Sequence, residues 1–170
     1  MKYLQDLVGG LSSEDVVVEV GSHRGRSAVA MGKVAKEVGV RVYAVDPHLP
    51  FVGVNGREFG PSDLAYMYNV VSEQGVGESV FIVSLESVKA ARAWDDGCVS
   101  LLFLDGDHSE QGVAADVQAW SSKIRLNGVI AFHDSPLDGL ARAIDVLVST
   151  GAWVKTGGVG TIIALTKKDA

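Results

Sequence analysis

Two short runs hold the most chemistry: Asp105-Gly-Asp-His108 and His133-Asp134. Each follows a nearly unbroken apolar run, Val99 to Leu104 and Val129 to Phe132. Apolar runs of this length that stop at acidic residues read as strands buried on both faces, each ending in a functional loop. If the two strands are neighbours, Asp105, His133 and Asp134 bring three oxygen or nitrogen ligands together and leave coordination positions open. That set suits a hard divalent cation such as magnesium or manganese, held partly by water and completed by substrate. His108 can then take a proton from a hydroxyl acidified by the cation, because the unperturbed imidazole pKa is about 6.5. Singly, these residues are ordinary helix caps and strand-end polar groups. Their weight comes from the set.

A third run offers a ligand corner. In Glu19-Val-Gly-Ser-His-Arg-Gly-Arg-Ser27, a valine-rich strand meets a glycine turn and then an alanine-rich helix. Such a corner gathers unpaired backbone N–H groups at the positive end of a helix dipole. The spacing is not that of the dinucleotide fingerprint Gly-x-Gly-x-x-Gly, since His23 occupies the second glycine position. It is not a phosphate loop either, since Gly21 and Gly25 are one residue too close and Arg26 stands where Lys is required. What remains is Glu-x-Gly-x-x-x-Gly-x-Ser, using Glu19, Gly21, Gly25 and Ser27. At the end of the next apolar run, Asp46 can accept both hydrogen bonds of a ribose diol, which points to a nucleoside without naming a reaction.

The elements that must position these groups follow from periodicity. A short helix over residues 2 to 10 precedes the Val16 to Val20 strand. A helix carrying Ala28, Val29, Met31, Val34, Ala35 and Val38 is capped by Gly39. Arg41 to Asp46 forms the second strand, and Pro47 to Ser62 reads as a long loop. A helix from Asp63 to Gln74 has Ser62 as its N-cap. Val80 to Val83 is the third strand, followed by a helix from Glu86 to Trp94. Val99 to Leu104 is the fourth strand, Glu110 to Ile124 a helix, Val129 to Phe132 the fifth strand after a turn at Asn127-Gly128, and Leu137 to Ser149 a helix. Two final strands, Ala152 to Lys155 and Gly160 to Thr166, are joined at Gly157-Gly158. They are too close for a crossover helix, so they pair antiparallel. The expected fold is an α/β sheet, mostly parallel, with helices on both faces and a C-terminal antiparallel hairpin. Ligands should then bind beyond the carboxyl ends of the strands, where the strand order reverses.

The Glu19 to Ser27 run resembles the first motif of class I S-adenosylmethionine-dependent methyltransferases, and the element order resembles their seven-stranded Rossmann-like sheet across nearly the whole chain. The resemblance implies that Glu19, Gly21, Ser22, Gly25 and Ser27 approach the methionine part of the cofactor. It also implies that His23 can approach the cofactor carboxylate, Asp46 the ribose, and Ser84 and Leu85 the adenine. The acidic runs resemble a metal-dependent subset, the macrocin and mycinamicin sugar O-methyltransferases and the cephalosporin-hydroxylase-like group. By position, Asp105 matches their first metal aspartate, His108 their general base, and His133 and Asp134 their acidic pair. Asp107 would lie nearby, orienting the cofactor or loop. His133 departs from the pattern, standing where those enzymes have Glu. An imidazole there removes one negative charge and favours softer metals, which leaves the identity of the metal open.

With 170 residues, 47% hydrophobic and 21% charged, the chain fits one domain. A net charge of −6, with both signs interspersed, gives no basic stripe, so a nucleic acid is not the expected partner. No apolar run reaches a membrane span, and the amino-terminal residues lack a signal-peptide core, so a cytoplasmic location is expected. Cys98, the one cysteine, reads as a small buried residue without chemistry. The expected activity is methyl transfer from S-adenosylmethionine to a hydroxyl of a small sugar-like or natural-product-like acceptor, with a divalent metal. Without a cap domain, that acceptor is small or exposed, or a second subunit of a homodimer closes the site. The alternatives are a nicotinamide-dependent oxidoreductase and a cofactor-binding protein without catalysis.

Overall fold

The apolar runs are strands, and they lie side by side. The computed structural model describes residues 1–52 and 58–169. Its strands are β1 (Val16–Val20), β2 (Arg41–Val45), β3 (Phe51–Val52), β4 (Glu58–Phe59), β5 (Val80–Val83), β6 (Val99–Leu104), β7 (Ile124–Phe132), β8 (Trp153–Val159) and β9 (Ile162–Lys167). Its helices are α1 (Lys2–Gly9), α2 (Arg26–Val38), α3 (Pro61–Glu73), α4 (Ser87–Ala91), α5 (Glu110–Trp120) and α6 (Asp138–Ser149). Seven strands form one sheet in the order β5-β2-β1-β6-β7-β9-β8. Only β9 runs against the others, pairing antiparallel with β7 on one side and β8 on the other. The order reverses between β1 and β6, so the crevice beyond those two strands is the topological switch point.

Strand alternation divides the core. Val17, Leu101, Phe103 and Ala131 point to the face covered by α1, α2 and α3. Val18, Val20, Leu102, Leu104, Ile130 and Phe132 point to the face covered by α4, α5 and α6, where Trp120 is fully buried. Each fully buried side chain of this kind is worth about 1.5–3 kcal/mol, so the strand ends that carry the polar groups are fixed from both sides. Among the described residues, no helix is long and apolar enough to cross a membrane.

Four local expectations change. Helix α5 stops at Trp120, and residues 124 to 128 belong to β7. A register irregularity between Val99 and Leu101, with Asn127 at φ 60, lets the strand continue through the Asn127-Gly128 pair. The final turn lies at Gly160-Thr161, with Gly160 at φ 61. Gly157 and Gly158 sit inside β8, because a Cβ on either would stand 2.5 Å from the Tyr3 hydroxyl or the Ile162 carbonyl. Helix α3 starts two residues earlier than its sequence suggests: Gly60 is its N-cap, and the Gly60 N–H donates to the Asp63 carboxylate at 2.9 Å. The stretch read as a loop from Pro47 to Ser62 contains the antiparallel pair β3 and β4, each too short to show a period; residues 53–57 lie outside the described residues.

Candidate active site

Strand β1 delivers Glu19 into the sheet interior, fully buried, and the turn after it brings Ser27 back onto it. The Ser27 hydroxyl donates to Glu19 Oε1, while Oε2 is buried with no hydrogen-bond partner. Burial pushes the Glu19 carboxyl up to about 8; the Ser27 bond opposes this, and the negative charges of Asp105 and Asp46 add to it. Ser22 is buried as well, and its hydroxyl has no partner. Among the described residues, the corner therefore holds two orphaned polar atoms, Glu19 Oε2 and Ser22 Oγ, beside a helix start that no side chain caps.

Gly21 makes the turn at φ 88, and its N–H donates to the Val45 carbonyl at 2.9 Å. A Cβ on Gly21 would stand 2.2 Å from the Asp105 carbonyl oxygen. The cofactor corner and the Asp105 loop are thus in backbone contact, which only glycine permits. Gly25, at φ 80, precedes α2 and packs on Met67.

Asp46 sits at the end of β2 and accepts from the His23 N–H at 2.8 Å and the His48 N–H at 2.9 Å, one on each carboxylate oxygen. Each oxygen keeps a lone pair, so the carboxylate is oriented without being used up. His48 is buried with its Nε2 2.8 Å from the His23 carbonyl, so it supports the turn from beneath and does not project into the cleft. His23 turns toward Asp63, with Nε2 3.3 Å from Oδ1, and packs edge-on against Phe59. Asp63, which sequence reasoning missed, also receives Arg24 Nε at 2.6 Å and ties the turn to α3. Its sequence signal was the N3 position of a helix beginning Gly-Pro. Ser84 and Leu85 follow β5 at the same edge and are exposed.

Strands β6 and β7 pair in parallel with Leu104 opposite Phe132, so their next residues leave the sheet together. His133 Nδ1 lies 3.0 Å from Asp105 Oδ1 and 3.3 Å from Asp134 Oδ2. His108 Nε2 faces the same two oxygens at 3.6 and 3.8 Å. The four side chains offer ligand atoms that all lie within 4.8 Å of one another. The Asp105 carboxylate beside it holds His108 above its ordinary value against partial burial, and Asp134 and Asp107 reinforce the effect. Asp107 itself is taken up by the start of α5: its carboxylate accepts from Ser109 N–H at 2.9 Å and Ser109 hydroxyl at 2.8 Å. Each of its oxygens keeps a lone pair, as at Asp46.

A second acid missed in sequence is Asp116 on α5, buried behind Gly106 and lining a small, partly open cavity with Asp107, His108 and Leu140. Burial lifts its carboxyl to about 6, against the Ser87 hydrogen bond and together with the charge of Asp107. An acid on the same helix stripe as Val113, Val117 and Trp120 was the available signal.

Residues 18–135 match the family model described as a methyltransferase domain. The chain belongs to this methyltransferase family. Its sheet is that of the class I S-adenosylmethionine-dependent enzymes, and solved structures share it at low identity. A candidate caffeoyl-CoA O-methyltransferase from Staphylococcus aureus superposes with a TM-score of 0.76 at 8% identity, covering 99% of this chain and 82% of its own. The calicheamicin methyltransferase CalS11 gives 0.74 at 14% identity, covering 99% and 77%. An SAH-bound methyltransferase from Podospora anserina gives 0.72 at 14% identity, covering 92% and 72%. In this methyltransferase, the orphaned Glu19 and Ser22 atoms and the oriented Asp46 carboxylate fit a cofactor with a polar amino-acid end and a ribose. The cluster around Asp105 fits a divalent metal, since His133 Nδ1 is buried without a hydrogen bond.

Proposed function

We propose that the protein transfers a methyl group from S-adenosylmethionine to a hydroxyl of a small, sugar-like or natural-product-like acceptor, with a divalent metal at Asp105, His133 and Asp134. The observation that carries this reading is the backbone contact between Gly21 and Asp105, which sets the cofactor corner directly against the cluster. S-adenosylmethionine supplies an electrophilic methyl on sulfur, and a divalent cation supplies Lewis acidity toward a hydroxyl. The chain's own part is alignment and proton removal. Glu19, Ser22 and the α2 start fix the amino-acid end, and Asp46 fixes the ribose. Asp105 and Asp134 place the hydroxyl oxygen in line with the methyl carbon. As the O–C bond forms and the C–S bond breaks, with its electron pair left on sulfur, the hydroxyl proton passes to His108 Nε2.

The small-molecule acceptor is favoured over nucleic acid by the net charge of −6. A second subunit closing the acceptor side belongs to the same proposal, and so does a cytoplasmic setting, which suits the single unpaired thiol of Cys98. The test is calorimetric titration with S-adenosylhomocysteine and with NAD, each with and without a divalent metal, followed by an acceptor screen that detects methyl transfer. Binding of the first alone, with turnover on a hydroxyl acceptor, is the expected result. Absence of S-adenosylhomocysteine binding overturns the reading.

A further inference from the structure

The proposed metal is left unspecified by its three-residue set, and the geometry of a fourth residue narrows it. We propose, resting on the methyl-transfer reading above, that Asp105, His108, His133 and Asp134 form a four-ligand centre selective for a borderline divalent transition metal over magnesium, with His108 a ligand whenever no acceptor is bound.

Convergence is the first support. Asp105 Oδ1 and Asp134 Oδ2 are each faced by both imidazoles, at 3.0 and 3.6 Å for the first and 3.3 and 3.8 Å for the second. Adjacent ligands bonded at about 2.0–2.1 Å to one ion stand about 3.0–3.4 Å apart. The observed separations span that range and exceed it by a few tenths of an ångström on the His108 side. The four nitrogen–oxygen separations are thus close to those of neighbours around a common centre, and all four atoms lie within 4.8 Å of one another.

The second support is the direction of His133. Its Nδ1 is buried and only 3.0 Å from a carboxylate oxygen, yet it makes no hydrogen bond among the described residues. The oxygen lies off the line in which the ring nitrogen's hydrogen or lone pair points. A buried ring nitrogen left in this state beside two carboxylates has an uncompensated cost. A cation at the point the ligands share removes it.

Donor chemistry then selects the ion. Magnesium prefers oxygen, demands near-ideal octahedral geometry and gives up water reluctantly. Two imidazoles with two carboxylates instead suit zinc, cobalt(II), iron(II) or nickel, and affinity at such sites rises along the first transition row. Two carboxylates also neutralise a dication in full. Asp107 stays outside the set: its carboxylate turns to Ser109, and the group of mutually close ligand atoms does not include it. When an acceptor hydroxyl takes the place of His108 beside the carboxylates, the released Nε2 is the atom that takes the proton.

The test uses metal-free protein and cobalt(II) as the probe. Paramagnetically shifted imidazole N–H signals count ligated histidines. Two are expected in the parent protein and one in each of His108→Ala and His133→Ala, with cobalt affinity lowered on the order of 10- to 100-fold in each. Millimolar magnesium should leave the cobalt signals in place. Displacement of cobalt by magnesium, a single shifted imidazole in the parent, or no cobalt binding overturns the proposal. S-adenosylhomocysteine affinity is measured on the same samples. Its retention in both variants shows that the fold is intact, and its loss in the parent marks failure of the methyl-transfer reading itself.

Discussion

His133 Nδ1 stands 3.0 Å from Asp105 Oδ1 without donating to it or accepting from it. Two groups held that close by adjacent parallel strands, and not bonded to each other, are positioned for a third. With a carboxylate at position 133, His108 would be the one nitrogen donor left in the cluster, so this single side chain sets its balance of oxygen and nitrogen.

Replacing that side chain should therefore move the metal preference. His133→Glu restores a third carboxylate, and magnesium affinity is expected to rise about 10-fold while cobalt affinity falls. Competition titrations of the two ions on parent and variant check this. An unchanged ratio would remove His133 from the ligand set.

Asp46 is oriented by two backbone N–H groups and keeps lone pairs for a diol. Asp46→Asn loses the charge and half the accepting capacity. A charge-assisted hydrogen bond is worth about 1.5–3 kcal/mol, so S-adenosylhomocysteine should bind roughly 10- to 100-fold more weakly, and thermal stability should fall as well, because the amide nitrogen cannot accept from the His23 or His48 N–H. Calorimetry separates the outcomes: unchanged affinity would reduce Asp46 to a cap for the His23 and His48 turn.

Glu19 makes folding stability depend on pH. Its carboxyl rises from 4.5 to about 8 on burial, so between those values the unfolded chain has released a proton that the native protein keeps. The stability this group contributes is complete below about pH 4.5 and is lost as pH rises through 8. Glu19→Gln keeps the shape of the neutral acid and removes that slope. Urea unfolding from pH 4.5 to 8.5 should show the variant gaining on the parent as pH rises; a constant difference would mean that Glu19 is ionised in the fold.

Gly21→Ala puts a Cβ against the Asp105 carbonyl at a backbone angle that disfavours any side chain. A cost of at least about 2 kcal/mol is expected, with the Asp105 loop displaced. Denaturant unfolding measures the first effect, and cobalt titration of the folded fraction measures the second. A fully stable variant with an unaltered metal site would show that the two loops are independent.

The frame was legible because buried parallel strands are written as short apolar runs, and β5 and β6 carry the bounds expected from sequence. Positions that depend on distant partners were not legible. Gly157 and Gly158 resemble a turn, and only Tyr3 and Ile162, close in space, show why they belong to a strand. Asp63 gains its importance from Arg24, 39 positions away. The side of the turn that His48 faces is set by the His23 carbonyl, 25 positions away. Among the acidic runs, composition located the cluster, whereas the separate engagement of Asp107 with Ser109 needed the start of α5. The family model covers residues 18–135, which include both acidic runs.

Strand β9 has a bearing on how the protein is made. It lies between β7 and β8, and it pairs with residues 129 to 132 of β7, just before His133 and Asp134. The segment after Asp134 is then held by Ser135, whose N–H and hydroxyl both donate to the Thr161 carbonyl, at 2.9 and 2.8 Å. Translation produces β9 after every other strand of the sheet, so on the ribosome β7 is an open edge with His133 and Asp134, half of the four-residue cluster, unsecured. The cofactor corner at β1 and β2 emerges far earlier. A nascent chain can assemble the Glu19 and Asp46 corner first, and the cluster around Asp105 is completed only with β9.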